Sequence, residues 1–285
     1  MAPFFAAYFL KLLPRGDGAL NHCCAATNIE KWLHKPRPTS VGRVRLFCFP
    51  PAGMGAAYYR LWDAQFPDTV EVYAVQLPGR TMRMAEPPVT NIPNLVQPIA
   101  SAIAAHLDRP TVFFGHSMGA VLAAETAREL MTRDFPAPVH MFVSGRRPPH
   151  LSDPMPPLRG LSDDAFVVEI DRRYGGIPKA ILDSPDVLAL VLPALRADIA
   201  ALETFPAKAR AVLSTPITVF GGDCDLLTPR SHLDAWKSET TAPVDVHLFR
   251  GGHFYLDREM DVVIATMLRT LAPLFERQRA QDAFS

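Results

Sequence analysis

The sequence predicts an α/β domain on a mostly parallel sheet with helices on both faces, and three observations lead there. From residue 43 onward, short apolar runs alternate with helical patterns. Those runs are near-continuous rather than alternating apolar and polar, as expected of strands covered on both faces. The chain of 285 residues is 48% hydrophobic and 20% charged, which is enough apolar material for a substantial core.

Residues 1–40 read as a loosely ordered N-terminal extension ahead of a domain at 41–280. "MAPFFAAYFLKLLP" is apolar but lacks a basic n-region, and no clear small-residue cleavage site follows; a secretory signal is the competing reading. "HKPRPTSVGR" reads as a linker. "RVRLFCFP" is the first strand, followed by "PAGMGAA" and a helix through Tyr59 and Trp62. "VEVYAVQLP" is the second strand, stopped by Pro78-Gly79. In "NLVQPIASAIAAHL", Leu95, Ile99, Ile103 and Leu107 recur every fourth residue, an amphipathic helix. The strand "TVFFG", a helix from Met118 to about Thr132 and the strand "VHMFVSG" follow. Residues 148–206 hold no strand pattern and carry helical patterns around 162–174, 185–192 and 193–204. This insertion reads as a lid over the sheet edge, with helices packed decoratively on one face as the alternative. "ITVFGG" and "VDVHLF" are the last strands, with helices around Arg230–Lys237 and Val262–Phe275.

Lys plus Arg number 29 and Asp plus Glu 29, a balance that argues against a nucleic-acid binder. No apolar run reaches the roughly 20 residues of a membrane span. Cys23, Cys24, Cys48 and Cys224 form no CxxC pair and no metal-ligand spacing, so no metal is expected and a reducing, cytoplasmic setting is inferred. Cys48 reads as a small core residue.

The chemistry centres on "FFGHSMGAVLAAE". With Gly at about 7% of residues, Gly-x-Ser-x-Gly is a weak signal in isolation. Here Ser117 follows a strand and precedes a helix, the context of a nucleophile elbow. Gly115 and Gly119 allow the sharp turn and close packing, and the helix N-terminus favours developing negative charge. A serine hydroxyl needs a base to take its proton. In the α/β-hydrolase arrangement an acid and then a histidine follow the serine along the chain, each on a loop after a strand. "PITVFGGDCDLLTP" offers Asp223 and Asp225, of which Asp225 is favoured, Asp223 being the alternative or a turn cap. "VDVHLFRGGHFYL" offers His253, preferred over His247 within the strand and His232 in a helix; His116 reads as structural. The three loops should meet at the carboxyl end of the sheet. Oxyanion donors are expected from the Met118 amide and from "FPPAGMG", where Ala52 is the choice. A dinucleotide site in that loop fails, because Tyr58 stands where the third glycine would be and the next strand ends in "QLPGR" with no acid.

These motifs, with "VQLPGRTMRMAEPP", "VSGRRPPH" and "LPALRADIAALETF", resemble the type II thioesterases that accompany modular polyketide and nonribosomal peptide synthetases. The resemblance spans roughly residues 44–275. One departure is Ala52-Gly53-Met54 where the family commonly has Ala-Gly-Gly. The resemblance implies hydrolysis of acyl thioesters from the phosphopantetheine arms of acyl or peptidyl carrier proteins, which removes stalled or aberrant groups. It implies the triad Ser117, Asp225 and His253, no bound cofactor, and a monomer that meets its carrier proteins transiently. Arg80, Arg83, Arg146 and Arg147 are candidates for docking an acidic carrier protein, against the alternative of internally paired loop arginines. A small-molecule carboxylesterase or lipase and a chain-releasing thioesterase are the competing functions on the same fold. A non-catalytic binding protein is the further competitor.

Overall fold

A computed structural model describes residues 30–37, 42–175, 177 and 179–282. Seven strands form one sheet: β1 (Leu33–His34), β2 (Val44–Phe49), β3 (Val70–Val75), β4 (Thr111–His116), β5 (His140–Ser144), β6 (Ile217–Gly222) and β7 (Val244–Phe249). Their spatial order is β1-β3-β2-β4-β5-β6-β7, antiparallel at β1 and parallel elsewhere. The α/β expectation therefore holds. The strand order reverses direction at β2, so the loops leaving β2 and β4 diverge there and open a crevice at the carboxyl ends of the strands.

Pleating divides the core into two layers. On β2, Phe47 and Phe49 join Leu95, Ile99, Met118 and Leu122 on one face, while Leu46 and Cys48 join Phe114, Trp62, Val263 and Met267 on the other. Helices α1 (Ile92–Ala104) and α2 (Met118–Thr132) cover the first face. Helix α7 (Leu256–Asp282), which is kinked at Glu259, covers the second and begins earlier than the periodicity around Val262 suggests.

The expected helix through Tyr59 and Trp62 is replaced by two 3₁₀ turns, Ala56–Tyr59 and Asp63–Gln65. The tighter turn puts residues three apart over one another, and Tyr59, Trp62 and Phe114 pack together with ring centroids 4.5–6.0 Å apart. The boundary at residue 41 is also corrected. Glu30–Trp32 forms a 3₁₀ turn and β1 pairs with β3, Leu33 opposite Val75. Buried Trp32 lies under the Arg83 guanidinium at 4.1 Å, and its carbonyl accepts from the Gln76 amide at 2.9 Å. Residues 30–37 thus extend the sheet; the rest of the expected extension lies outside the described residues.

Between β5 and β6 the insertion folds into α3 (Asp163–Tyr174), α4 (Lys179–Leu182) and α5 (Pro185–Thr204). The two expected helices 185–192 and 193–204 are one, running through Pro193. Proline removes a single helical hydrogen bond, and the apolar stripe Leu188–Leu192–Leu195–Ile199–Leu202 continues across it. The insertion keeps a small core of its own, with Phe166, Ile170, Leu192 and Ile199. Among the described residues no helix is long and apolar enough to cross a membrane.

Candidate active site

Ser117 stands between β4 and α2 with φ 53° and ψ −116°, a positive φ that a side-chain-bearing residue adopts at a cost. Both flanking glycines are required by close approach. A Cβ on Gly115 would lie 2.1 Å from the Gly119 carbonyl oxygen, and one on Gly119 would lie 2.0 Å from the Phe49 carbonyl oxygen. Gly119→Ala is therefore expected to separate α2 from β2 and to destabilise the fold by at least the about 1–3 kcal/mol typical of overpacking. Denaturant unfolding measures this, and wild-type stability in the variant would contradict the contact. The elbow is pinned by the Ser117 amide donating to the Ser144 carbonyl at 2.8 Å.

The loops after β6 and β7 bring the acid and the base to the serine. His253 Nε2 is 3.0 Å from Ser117 Oγ, and its Nδ1 is 2.8 Å from Asp225 Oδ2. All three residues are buried. Asp225 also accepts from the Leu227 amide at 3.0 Å and from the Thr228 hydroxyl. Burial alone would raise its pKa, but the bonds from His253, Thr228 and Leu227 outweigh burial and hold the carboxyl below its ordinary value. Asp223 is exposed and points elsewhere: it accepts the Gly251 amide at 2.9 Å and so ties the acid loop to the histidine loop. The structure thus sets Asp225, rather than Asp223, against His253.

His232 lies in the short helix α6 (Arg230–Asp234) and His247 on edge strand β7, neither beside Ser117. His116 is buried beneath the elbow. Its Nδ1 is 2.9 Å from Ser144 Oγ, which is itself 2.6 Å from the Tyr255 hydroxyl. Burial first, and the neighbouring His253 second, push the His116 pKa well down, so it stays neutral under the nucleophile.

Met118 opens α2, where the first amides have no partner inside the helix. In the loop after β2, Pro50 and Pro51 carry no N–H. The Gly53 amide donates to Asp198 at 2.7 Å and the Met54 amide to the Pro51 carbonyl at 3.1 Å. Ala52 is then the one amide from residue 50 to residue 54 that no described residue accepts. It lines the same cavity as Ser117 and His253.

That cavity is walled chiefly by the insertion, with Ile170, Ile181, Leu188, Leu192 and Leu195; among the described residues no Lys, Arg, Asp or Glu lines it. Tyr174 and Phe254 flank His253, with ring centroids 5.1 Å from the imidazole in each case. Among the described residues no group of three or more His, Cys, Asp or Glu is placed to hold a metal ion.

The docking assignment is corrected for Arg80, Arg83 and Arg147. Arg80 is buried against Asp198, Arg83 against Glu86 and the Trp32 ring, and Arg147 against Asp153. Arg146 is half-buried beside the Tyr174 hydroxyl. Arg80, Arg83 and Arg147 thus spend their guanidinium groups on carboxylates and carbonyls of the same chain, and these three present no basic patch. Asp198 was the residue that sequence reasoning missed. Its signal is an acid set among Leu195, Ile199 and Leu202 on the apolar stripe of α5, which calls for a buried cation partner.

The thioesterase-domain family model matches residues 44–271. Linear gramicidin dehydrogenase LgrE of Brevibacillus parabrevis is 37% identical over 245 residues, covering 85% of this chain and 93% of that protein. Gramicidin S biosynthesis protein GrsT of Aneurinibacillus migulanus is 35% identical over 245 residues, covering 86% of this chain and 95% of that protein. The solved structure of the type II thioesterase BorB from the borrelidin biosynthetic cluster superposes with a TM-score of 0.76 at 30% identity, covering 85% of this chain and 97% of that one.

Proposed function

The chain belongs to the thioesterase-domain family, and on that premise we propose that it clears stalled or aberrant acyl groups from carrier proteins of a modular synthase by a Ser117 acyl-enzyme mechanism. It is a thioester hydrolase, and its relatives include a type II thioesterase and a gramicidin S biosynthesis protein. The reading rests above all on one observation: the hydrogen-bonded row Ser117–His253–Asp225 opens onto an apolar channel.

In this mechanism the acyl chain lies along Ile170, Leu188, Leu192 and Leu195, which leaves its carbonyl carbon at Ser117 Oγ. Attack by Oγ transfers the hydroxyl proton to His253 Nε2, while Asp225 holds Nδ1–H and stabilises the imidazolium. The oxyanion forms between the Met118 and Ala52 amides. Cleavage of the C–S bond releases the pantetheine thiol, protonated by His253. Water, activated by the same imidazole, then hydrolyses the acyl-serine ester and regenerates the enzyme. All groups required for these steps are side chains or amides of the chain itself; pantetheine is part of the substrate.

One relative is named a dehydrogenase. In this chain the loop after β2 carries Tyr58 in place of a third glycine, and β3 runs into Gln76–Arg80 with no acid for a ribose. The reading for this chain is therefore hydrolysis.

The test is turnover of acetyl-, butyryl-, octanoyl- and malonyl-carrier protein beside the matching oxygen esters. Apolar acyl thioesters should be preferred over esters, and malonyl should be the poorest thioester because its carboxylate would face an apolar wall with no cation. A strong preference for the oxygen esters would overturn the thioesterase reading in favour of a carboxylesterase. Equal rates on carrier-bound and free pantetheine thioesters would remove the carrier protein from it.

A further inference from the structure

We infer that Asp198, on the insertion helix α5, is a positioning residue that sets the oxyanion loop and links it to the helix lining the acyl channel; this rests on the acyl-enzyme reading above. The Asp198 carboxylate is fully buried, 0% exposed. One oxygen accepts the Gly53 amide at 2.7 Å and a guanidinium N–H of Arg80, and the other accepts a second Arg80 N–H at 2.9 Å. Arg80 in turn donates to the Met54 carbonyl at 3.3 Å and the Pro78 carbonyl at 3.0 Å. One buried ion pair therefore ties three segments together: the loop after β2, the loop after β3 and α5.

Stability is a poor explanation for this arrangement. Desolvating two charges consumes most of what their attraction returns, and an apolar pair of similar volume often serves as well. What an apolar pair cannot supply is the bond to the Gly53 amide. Gly53 sits at φ +76°, and a Cβ there would meet Leu195 Cδ1 at 3.1 Å. The Ala52–Gly53 peptide is planar, so holding its N–H fixes the plane that follows the Ala52 amide. It also withdraws the Gly53 amide from competition for the oxyanion. Leu195 and Asp198 are three residues apart on one face of α5. The helix surface that touches the acyl chain is thus the one that grips the oxyanion loop.

Asp198→Leu, which has no acceptor for the Gly53 amide, and wild type are to be compared on octanoyl-N-acetylcysteamine thioester, and on inhibition by an octyl trifluoromethyl ketone, which forms a tetrahedral adduct with the serine and needs the oxyanion site. Misplaced donors should lower kcat by about 10- to 100-fold, with inhibitor affinity falling in step and KM within about twofold. If the single variant does not fold, Asp198→Leu/Arg80→Met replaces the ion pair by an apolar pair, still without an acceptor for Gly53, and is read in the same way. A kcat within about twofold of wild type, a fall in kcat with unchanged ketone affinity, or failure of both variants to fold would each overturn the inference, the last by assigning the pair to stability alone. Absence of thioester turnover by wild type would instead defeat the acyl-enzyme reading, so the two failures are separable.

Discussion

Ser117→Ala is expected to cut thioester turnover by about 10⁴- to 10⁶-fold while leaving acyl-thioester binding intact. The side chain removed supplies the attacking oxygen and nothing else. His253 keeps its bond to Asp225, and the apolar channel is built by Ile170, Leu188, Leu192 and Leu195, all carried by insertion helices rather than by β4 or α2. What remains is the oxyanion pair and substrate positioning, which still assist slow attack by water. Alanine also relaxes no backbone requirement at φ 53°, since it carries the same Cβ. The measurement is single-turnover hydrolysis of an octanoyl-carrier thioester, with a parallel calorimetric Kd on the same substrate. Turnover within tenfold of wild type would remove Ser117 from the chemistry.

Asp225→Asn should lower kcat by about 10⁴-fold, because an amide presented to Nδ1 stabilises the wrong tautomer of His253 and leaves an imidazolium without its counter-charge. Asp223→Asn should cost under about tenfold, since that carboxylate is exposed and its bond from the Gly251 amide is one an amide oxygen can still accept. Equal losses in the two variants would contradict the assignment of the acid. Asp225 also contributes a pH signature. Its pKa is lower in the folded protein than in the unfolded chain, so its contribution is fully present above the unfolded value near ~3.9. It is lost as pH falls through the folded value. Wild type should therefore lose stability more steeply than Asp225→Asn as pH drops below about 4 in acid unfolding monitored by circular dichroism. Parallel curves would show that Asp225 is not held in this hydrogen-bonded state.

Local pattern carried much of the fold. The runs "ITVFGG" and "VDVHLF" became β6 and β7 without change, and "MGAVLAAETARELMT" became α2, because apolar continuity and helical period are properties of a few consecutive residues. The order of serine, acid and histidine at successive strand ends was legible for the same reason: a parallel sheet delivers every such loop to one edge.

The missed elements depend on distant partners. β1 is two residues long and has no periodicity to detect; it exists because β3 offers an open edge and Arg83 covers Trp32. Gly-Gly spacing announced an elbow, yet only the approach of the Phe49 carbonyl to Gly119 shows how little room it has. Arg80 and Asp198 lie 118 residues apart. An arginine in a loop reads the same in sequence whether it faces solvent or a buried carboxylate, so docking and internal pairing were indistinguishable until the chain closed on itself.

The sequence by itself determined the sheet, the elbow and the order of the candidate triad, since each is written in spacing and residue type over short stretches. Tertiary structure alone decided which carboxylate faces His253, which amide of the loop after β2 stays uncommitted, and where the arginines point. Those choices are made by burial, where a charge must find its partner or not be buried at all.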